Sequence, residues 1–200
     1  MTDPIEQPRT TLSDRVLLPF AFDPARLAED LGAFDEADWV SHAVRQNYDG
    51  DWSAIPLRAP AGETHPIRMI YPDPMATHFV DTYFLDRTPY FRAVLARFEC
   101  PLRTARLMRL TPGSVIKEHE DHRLDADGGM VRIHIPITTS PAVEFLLNRR
   151  AVAMEPGSAW YLRLTDPHAV ANRGTRDRVH LVVDAWVNDW LMETLREAAA

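Results

Sequence analysis

The 200-residue chain has a single cysteine, Cys100, and a single lysine, Lys117. One cysteine excludes an intrachain disulfide, a thiolate zinc site and a dithiol redox pair. Because lysine is so scarce, nearly every positive charge is an arginine, and the informative question is where individual guanidiniums point. No basic run or basic helix occurs and the formal net charge is −7, which argues against nucleic acid or an anionic membrane as a partner. No apolar run approaches the length of a membrane span, and Met1 to Gln7 lacks the apolar stretch of a secretion signal. These absences fit a cytoplasmic protein in a reducing compartment. Internal repeats and low-complexity segments are absent too, and the length suits one domain with a sizeable core.

What is present divides near residue 100. Met1 to Leu12 is polar and expected to be disordered, which leaves residues 13–200 as one domain. Arg15 to Phe20 reads as a strand. Asp23-Pro24 opens a helix, with Asp23 as cap and Pro24 in the first position, running towards Phe34. A second helical stretch is expected from about Glu36 to Val44, then an extended aromatic stretch from Tyr48 to Arg58, and a helix from Thr88-Pro89 through Arg97. This helix-rich part ends at about residue 100. From Leu102 the texture changes to short alternating segments, expected as strands at Arg103–Leu110, Ser114–Glu118, Val131–Thr138, Val143–Leu147, Ala151–Met154, Ala159–Leu164, Ala169–Asn172 and Val179–Val187. Turn residues separate them, among them Pro112-Gly113, Asn148-Arg149-Arg150 and Pro156-Gly157. The expected fold is mainly β, a jelly-roll or cupin-like double-stranded β-helix barrel over about 102–187 with flanking α-helices, closed by a helix from Trp186 to Ala199.

Within that barrel, His119-Glu120-Asp121 and the later His168 have the composition of a facial triad of two histidines and one carboxylate. Such a triad holds a redox metal by one face and leaves the other open to O₂ and an organic co-substrate. Alternation selects the residues that accompany it. In Val131 to Ile137 the odd positions are aliphatic, and Arg132 and His134 share the opposite face; in Arg178 to Asp184, Arg178, His180 and Asp184 share one face. An inward arginine needs an anion to offset its desolvation, and a carboxylate is the natural one. A zinc-bound water on similar ligands would serve a hydrolase, but that reading has no use for Arg178.

The segment from Tyr48 to Val187 resembles the aspartyl/asparaginyl β-hydroxylase family of Fe(II)/2-oxoglutarate dioxygenases, which includes bacterial proline hydroxylase relatives. The residues that carry the likeness are Pro112-Gly113, His119-x-Asp121, Arg132-x-His134, Gly157-x-x-Trp160-Tyr161, Pro167-His168-x-x-x-Asn172 and Arg178-x-His180-Leu181-x-x-Asp184. The upstream Tyr48-x-Gly50-x-Trp52-x-x-Ile55-Pro56-Leu57-Arg58 is also similar to the family. The resemblance implies Fe(II) on His119, Asp121 and His168, with Arg178 binding the distal carboxylate of 2-oxoglutarate and Arg132 and His134 near its other carboxylate. Some members place a serine hydroxyl beside the distal carboxylate where this chain has Met108. Oxygen would be the oxidant and ascorbate a suitable reductant in vitro.

Substrate residues are less legible. Tyr48, Trp52 and Arg58 lie in a stretch that resembles a substrate-side wall, and Arg106 alternates onto the face of Met108; either arginine would suit a carboxylate, or else pair with a surface acid. Asn172 and His180 are expected to give hydrogen-bonding support behind the site, with orientation of His168 as one role for Asn172. His122 should point away from Asp121, and His42, His65 and His78 are expected to be surface or structural. The expected activity is hydroxylation of a C–H bond in a free amino acid or a peptide residue, coupled to decarboxylation of 2-oxoglutarate to succinate and CO₂. The alternatives are a metal- and dicarboxylate-binding barrel without turnover, and a cupin-like isomerase or non-oxoglutarate oxygenase. Oligomeric state is not legible.

Overall fold

The structure is a computed structural model that describes residues 12–200. For residues 1–11 the expectation of disorder lies outside the described residues; Leu12 packs on the helix-covered core. In chain order the elements are β1 (Arg15–Ala21), α1 (Pro24–Leu31), β2 (Val40–Ser41), β3 (Tyr48–Asp49), β4 (Trp52–Pro60), α2 (Pro66–Ile70), β5 (Phe79–Asp81), α3 (Tyr83–Asp86) and α4 (Pro89–Leu95). They continue with β6 (Leu102–Leu110), β7 (Val115–His119), β8 (Met130–Thr138), β9 (Val143–Leu147), β10 (Arg150–Ala151), β11 (Ser158–Leu162), β12 (His168–Asn172), β13 (Arg178–Trp186) and α5 (Asp189–Ala199).

Two antiparallel sheets face each other, the arrangement expected of the double-stranded β-helix. The larger runs β1-β11-β8-β13-β6-β4-β2, with β5 added to β4; the smaller runs β10-β9-β12-β7-β3. Side-chain alternation sorts the core into two layers. Val131, Ile133, Ile135 and Ile137 of β8, with Val179, Leu181 and Val183 of β13, turn away from the smaller sheet. They pack under helix residues such as Leu27, Phe91, Val94, Leu191 and Leu195. The opposite faces meet between the sheets, where Trp52, Met108, Ile116, Phe145, Val170 and Val182 form a second cluster. Arg106, Arg132, His134, Arg178, His180 and Asp184 occupy alternating positions on that inner side, so these six polar side chains point into the barrel.

Helix starts follow their local chemistry. Asp23 caps α1 by accepting from the Ala25 and Arg26 amides, and Pro24 occupies the first turn. Asn188 caps α5 through the Leu191 amide, because Trp186 still belongs to β13 and the helix begins later than expected. The helix expected over Glu36 to Val44 is absent. Asp35 caps a single 3-10 turn at Glu36–Asp38, and Val40–Ser41 pairs with Ala54 and Ser53 of β4 as an edge strand. Sheet pairing here overrides a periodicity only nine residues long. The strand expected at Ala151–Met154 shrinks to β10, since Asn148 and Arg149 both take positive φ, 51° and 58°, and close a tight hairpin ahead of it. The part before residue 100 also supplies five strands, and α2, α3 and β5 were not anticipated. No helix among the described residues is long and apolar enough to cross a membrane.

Candidate metal centre

The smaller sheet brings the two histidines together by register. His119 closes β7, His168 opens β12, and the two are direct cross-strand partners with ring centroids 4.2 Å apart. Asp121 lies two residues past His119, and its amide donates to the Leu164 carbonyl at 2.8 Å. The ligand atoms of His119, Asp121 and His168 all lie within 4.8 Å of one another.

The imidazole tautomers follow from their partners. His119 Nδ1 is 2.7 Å from the Lys117 carbonyl and His168 Nδ1 is 3.0 Å from the Asp166 carbonyl. A carbonyl can only accept, so each Nδ1 carries the proton and each Nε2 presents a lone pair, as a metal ligand must. Burial pushes His168 down to about 4, which keeps it neutral and ready to ligate at neutral pH. Two neutral nitrogens and one carboxylate oxygen suit a divalent first-row metal. Asn172 plays no part in orienting His168. Its amide instead donates to the Leu110 and Arg176 carbonyls and its oxygen accepts from Gly174, which ties down the β12–β13 connection.

The ligands share a cavity with Arg132, His134 and Arg178, walled by Trp52, Met108, Ile116, Phe145, Leu164 and Val170. Arg178 is 3% exposed. Among the described residues no carboxylate lies within ion-pair reach of it, and the one side chain it meets is His180, whose Nδ1 accepts from Nη2 at 2.9 Å. Burial alone pushes Arg178 down to about 9, and its Nε has no partner. His134 lies opposite Val182, and neither of its ring nitrogens has a partner. Burial, with Arg178 adding to it, holds His134 well below its usual pKa. A buried cation without an anion beside an imidazole with two open hydrogen-bonding positions is an arrangement short of a ligand.

Arg132 is placed differently from the other two. Its Nε and Nη2 donate to both oxygens of Asp184, at 2.6 and 3.0 Å, and its Nη1 donates to Asp121 Oδ2 at 2.6 Å. The guanidinium stands behind a metal-site carboxylate, with three nitrogens already engaged.

Of the four residues expected on the substrate side, Trp52 lines the cavity. Tyr48 packs edge-on against Trp52 from behind, accepting from Arg45 and donating to the His42 carbonyl. Arg106 is buried and donates to Asp184 and to the Ile70 carbonyl. Arg58 faces away: it donates to Asp81, the Phe79 carbonyl and the Leu102 carbonyl. A bulge explains it. Pro56 pairs with Arg106 but Arg58 pairs with Ala105, so one extra residue in β4 reverses the parity that would have put Arg58 beside Trp52. His42, expected on the surface or in a structural role, is buried and stacks on Trp52 with centroids 3.6 Å apart. His65, His78 and His122 are exposed. The apolar wall from Ile116, Phe145, Leu164 and Val170 was not anticipated, though inward alternation on β7, β9 and β12 carries the signal for three of the four.

Comparison with known proteins agrees with this architecture. The chain is 28% identical over 178 residues to L-proline cis-4-hydroxylase of Rhizobium meliloti (strain 1021), covering 86% of this chain and 61% of that protein. It therefore spans about three fifths of the length of this relative. Among solved structures, an oxidoreductase of the 2OG-Fe(II) oxygenase family from Burkholderia pseudomallei superposes with a TM-score of 0.51 at 20% identity, covering 88% of this chain and 86% of the other. A Pseudomonas putida prolyl-4-hydroxylase superposes with a TM-score of 0.52 at 13% identity, covering 89% and 94%. These two share the fold. The sequence profile of the aspartyl/asparaginyl beta-hydroxylase family matches residues 26–188, and with more than half of its length so matched the chain belongs to that family.

Proposed function

We propose that the protein is a 2-oxoglutarate-dependent dioxygenase that hydroxylates a C–H bond of an amino acid, coupled to conversion of 2-oxoglutarate and O₂ to succinate and CO₂. The observation that carries this reading is Arg178, a buried guanidinium with no carboxylate in reach among the described residues, lining the same cavity as three converging candidate metal-ligand atoms. A hydrolytic or purely structural metal site has no need of it. The relative's name, a proline hydroxylase, supports a small amino acid as substrate.

His119, Asp121 and His168 would hold Fe(II). The bound metal would supply oxidation of an unactivated carbon by O₂ at the expense of a keto acid. The chain's own residues bind and orient. Arg178 takes one carboxylate of the co-substrate in a buried, charge-assisted contact, and His180 fixes the guanidinium from behind by accepting from Nη2. His134 offers two open ring nitrogens to the polar end of the co-substrate. Trp52, Met108, Phe145 and Leu164 exclude water and leave an apolar surface for the aliphatic part of a small amino acid. With one carboxylate ligand on a divalent metal and Arg178 in the same cavity, a dianionic keto acid would meet net positive charge. We further propose that it acts in the cytoplasm on a free small molecule rather than on nucleic acid, in keeping with one cysteine and a net charge of −7.

The test is calorimetric titration of 2-oxoglutarate into Mn(II)-loaded protein beside the Asp121→Ala variant. Changes behind a metal site cost about 10–100-fold in metal affinity, and loss of a ligand exceeds that. The reading expects metal-dependent binding of 2-oxoglutarate by the wild-type chain and none by the variant at the same metal concentration. Binding that ignores the metal, or is unchanged in Asp121→Ala, contradicts it.

A further inference from the structure

Asp184 is as buried as His168, each 5% exposed, and hydrogen-bonds to none of the three ligands, yet it is the hub of the charge network behind them. It lies directly across from Arg132 on the inner side of β13 and β8. Its carboxylate accepts four hydrogen bonds: two from Arg132, one from Arg106 Nη2 at 2.7 Å and one from Thr104 Oγ1 at 2.9 Å. Arg106 is anchored in turn on the Ile70 carbonyl at 2.6 Å. A buried ionic network of this kind adds little net stability over apolar residues of the same volume. What it supplies is direction.

That direction matters at Asp121. This residue lies beyond the end of β7, with its side chain 29% exposed. The bidentate contact with Asp184 uses Nε and Nη2 of Arg132 and leaves Nη1 in a fixed place, 2.6 Å from Asp121 Oδ2. Oδ1 is thereby left towards His119, 3.8 Å from its Nε2. Resting on the reading of His119, Asp121 and His168 as a metal site, we propose that Asp184 is a positioning residue for the metal carboxylate. It locks Arg132, and Arg132 holds Asp121 by one oxygen so that the other faces the metal.

The assignment separates two roles for Arg132. If Arg132 serves chiefly to bind the co-substrate, loss of Asp184 changes 2-oxoglutarate affinity and spares metal affinity. If it serves to orient Asp121, metal affinity falls with no co-substrate present.

The experiment is titration with Co(II) alone, followed by calorimetry and by the visible spectrum of the bound metal, which reports its ligand geometry. The variants are Asp184→Asn and the double variant Arg106→Met/Asp184→Asn. The single change strands two buried guanidiniums and can impair folding; the double change removes one charge of each sign and spares the core. Far-UV circular dichroism establishes which variants are folded. The proposal expects about 10–100-fold weaker Co(II) binding and an altered spectrum in the folded variant. In a further pair, Arg132→Met with and without Asp184→Asn, it expects no added effect of Asp184→Asn, since both act along one line. Wild-type affinity and spectrum in either folded variant overturn it, as does a loss confined to 2-oxoglutarate binding. A wild-type chain that binds no Co(II) overturns this and the metal reading together. Weakened Co(II) binding in a protein that forms no succinate upholds it while the proposed activity falls.

Discussion

Arg178 is a buried guanidinium with no carboxylate in ion-pair reach among the described residues, and its neighbours sharpen rather than relieve that cost. His180 and His134 beside it are themselves pushed well below their usual pKa by burial, so neither supplies charge of either sign at neutral pH. An incoming carboxylate would supply it. Arg178→Met is expected to raise the KM for 2-oxoglutarate by an amount on the order of 2–5 kcal/mol, the cost of stranding one partner of a buried charged hydrogen-bond pair. The KM for the amino acid should change little. Steady-state kinetics with each substrate varied in turn measures both; a rise confined to the amino acid would make Arg178 a substrate residue instead. At this scale the sequence was most legible where chemistry limits the choice. His119-x-Asp121 and His168 are recognisable because few residue types ligate iron, and Arg178 because an inward arginine needs an anion. Asp184 was visible as a member of the same strand face, but its contacts to Arg132, Arg106 and Thr104 depend on three-strand register, which no single segment encodes.

Among the elements, alternation read well inside regular strands and failed where a strand is irregular. β8 and β13 follow the two-residue period through Arg132, His134, Arg178 and His180, and these side chains all reach the inner layer. In β4 the resemblance to a substrate-side wall grouped Arg58 with Trp52, and one bulged residue carries it to the outside. Glu36 to Val44 shows the other failure. An isolated nine-residue helix is marginal in water, and the edge of β4 was available to Val40 and Ser41. Gly157 marks an element junction that was legible as a turn but not as a contact: its φ is +81°, and a Cβ there would strike the Phe22 carbonyl at the end of β1. Arg58→Met tests the bulge. With its donors on Asp81, the Phe79 carbonyl of β5 and the Leu102 carbonyl of β6, its loss should lower stability by about 1 kcal/mol, the worth of a partly exposed pair, measured by urea denaturation. Both KM values should stay at wild type; a raised KM for either substrate would put Arg58 back in the site.

Across the whole molecule, four buried imidazoles couple stability to pH. Burial pushes His42 down to about 3 and His168 down to about 4, and holds His134 and His180 well below the usual value. In the unfolded chain each takes up a proton near the ordinary imidazole value of 6.5. The folded metal-free protein does so only at lower pH, so between about 6.5 and 4 the unfolded state binds more protons and stability falls as pH falls. The slope is about 1.4 kcal/mol per pH unit for each imidazole in that window. Asp184 acts later. Burial opposes its charge, Arg132 and Arg106 outweigh that and hold it below the usual carboxylate range, and its contribution persists until the pH drops beneath that range. Urea midpoints of the metal-free protein should therefore drop steeply from pH 7 to pH 5, and a flat profile across that interval would contradict the buried, neutral state of these histidines.

On the proposed reading, a buried arginine with no carboxylate in reach among the described residues and a two-histidine, one-carboxylate centre together run a keto-acid-coupled oxidation. The most direct measurement is succinate formation by the purified chain with Fe(II), ascorbate, 2-oxoglutarate and O₂ across the free amino acids, with a small peptide panel alongside. Succinate that rises with one amino acid, in step with a hydroxylated product, and disappears in Asp121→Ala is the predicted result. No succinate with any substrate, from protein that also fails to bind 2-oxoglutarate when loaded with metal, would contradict it.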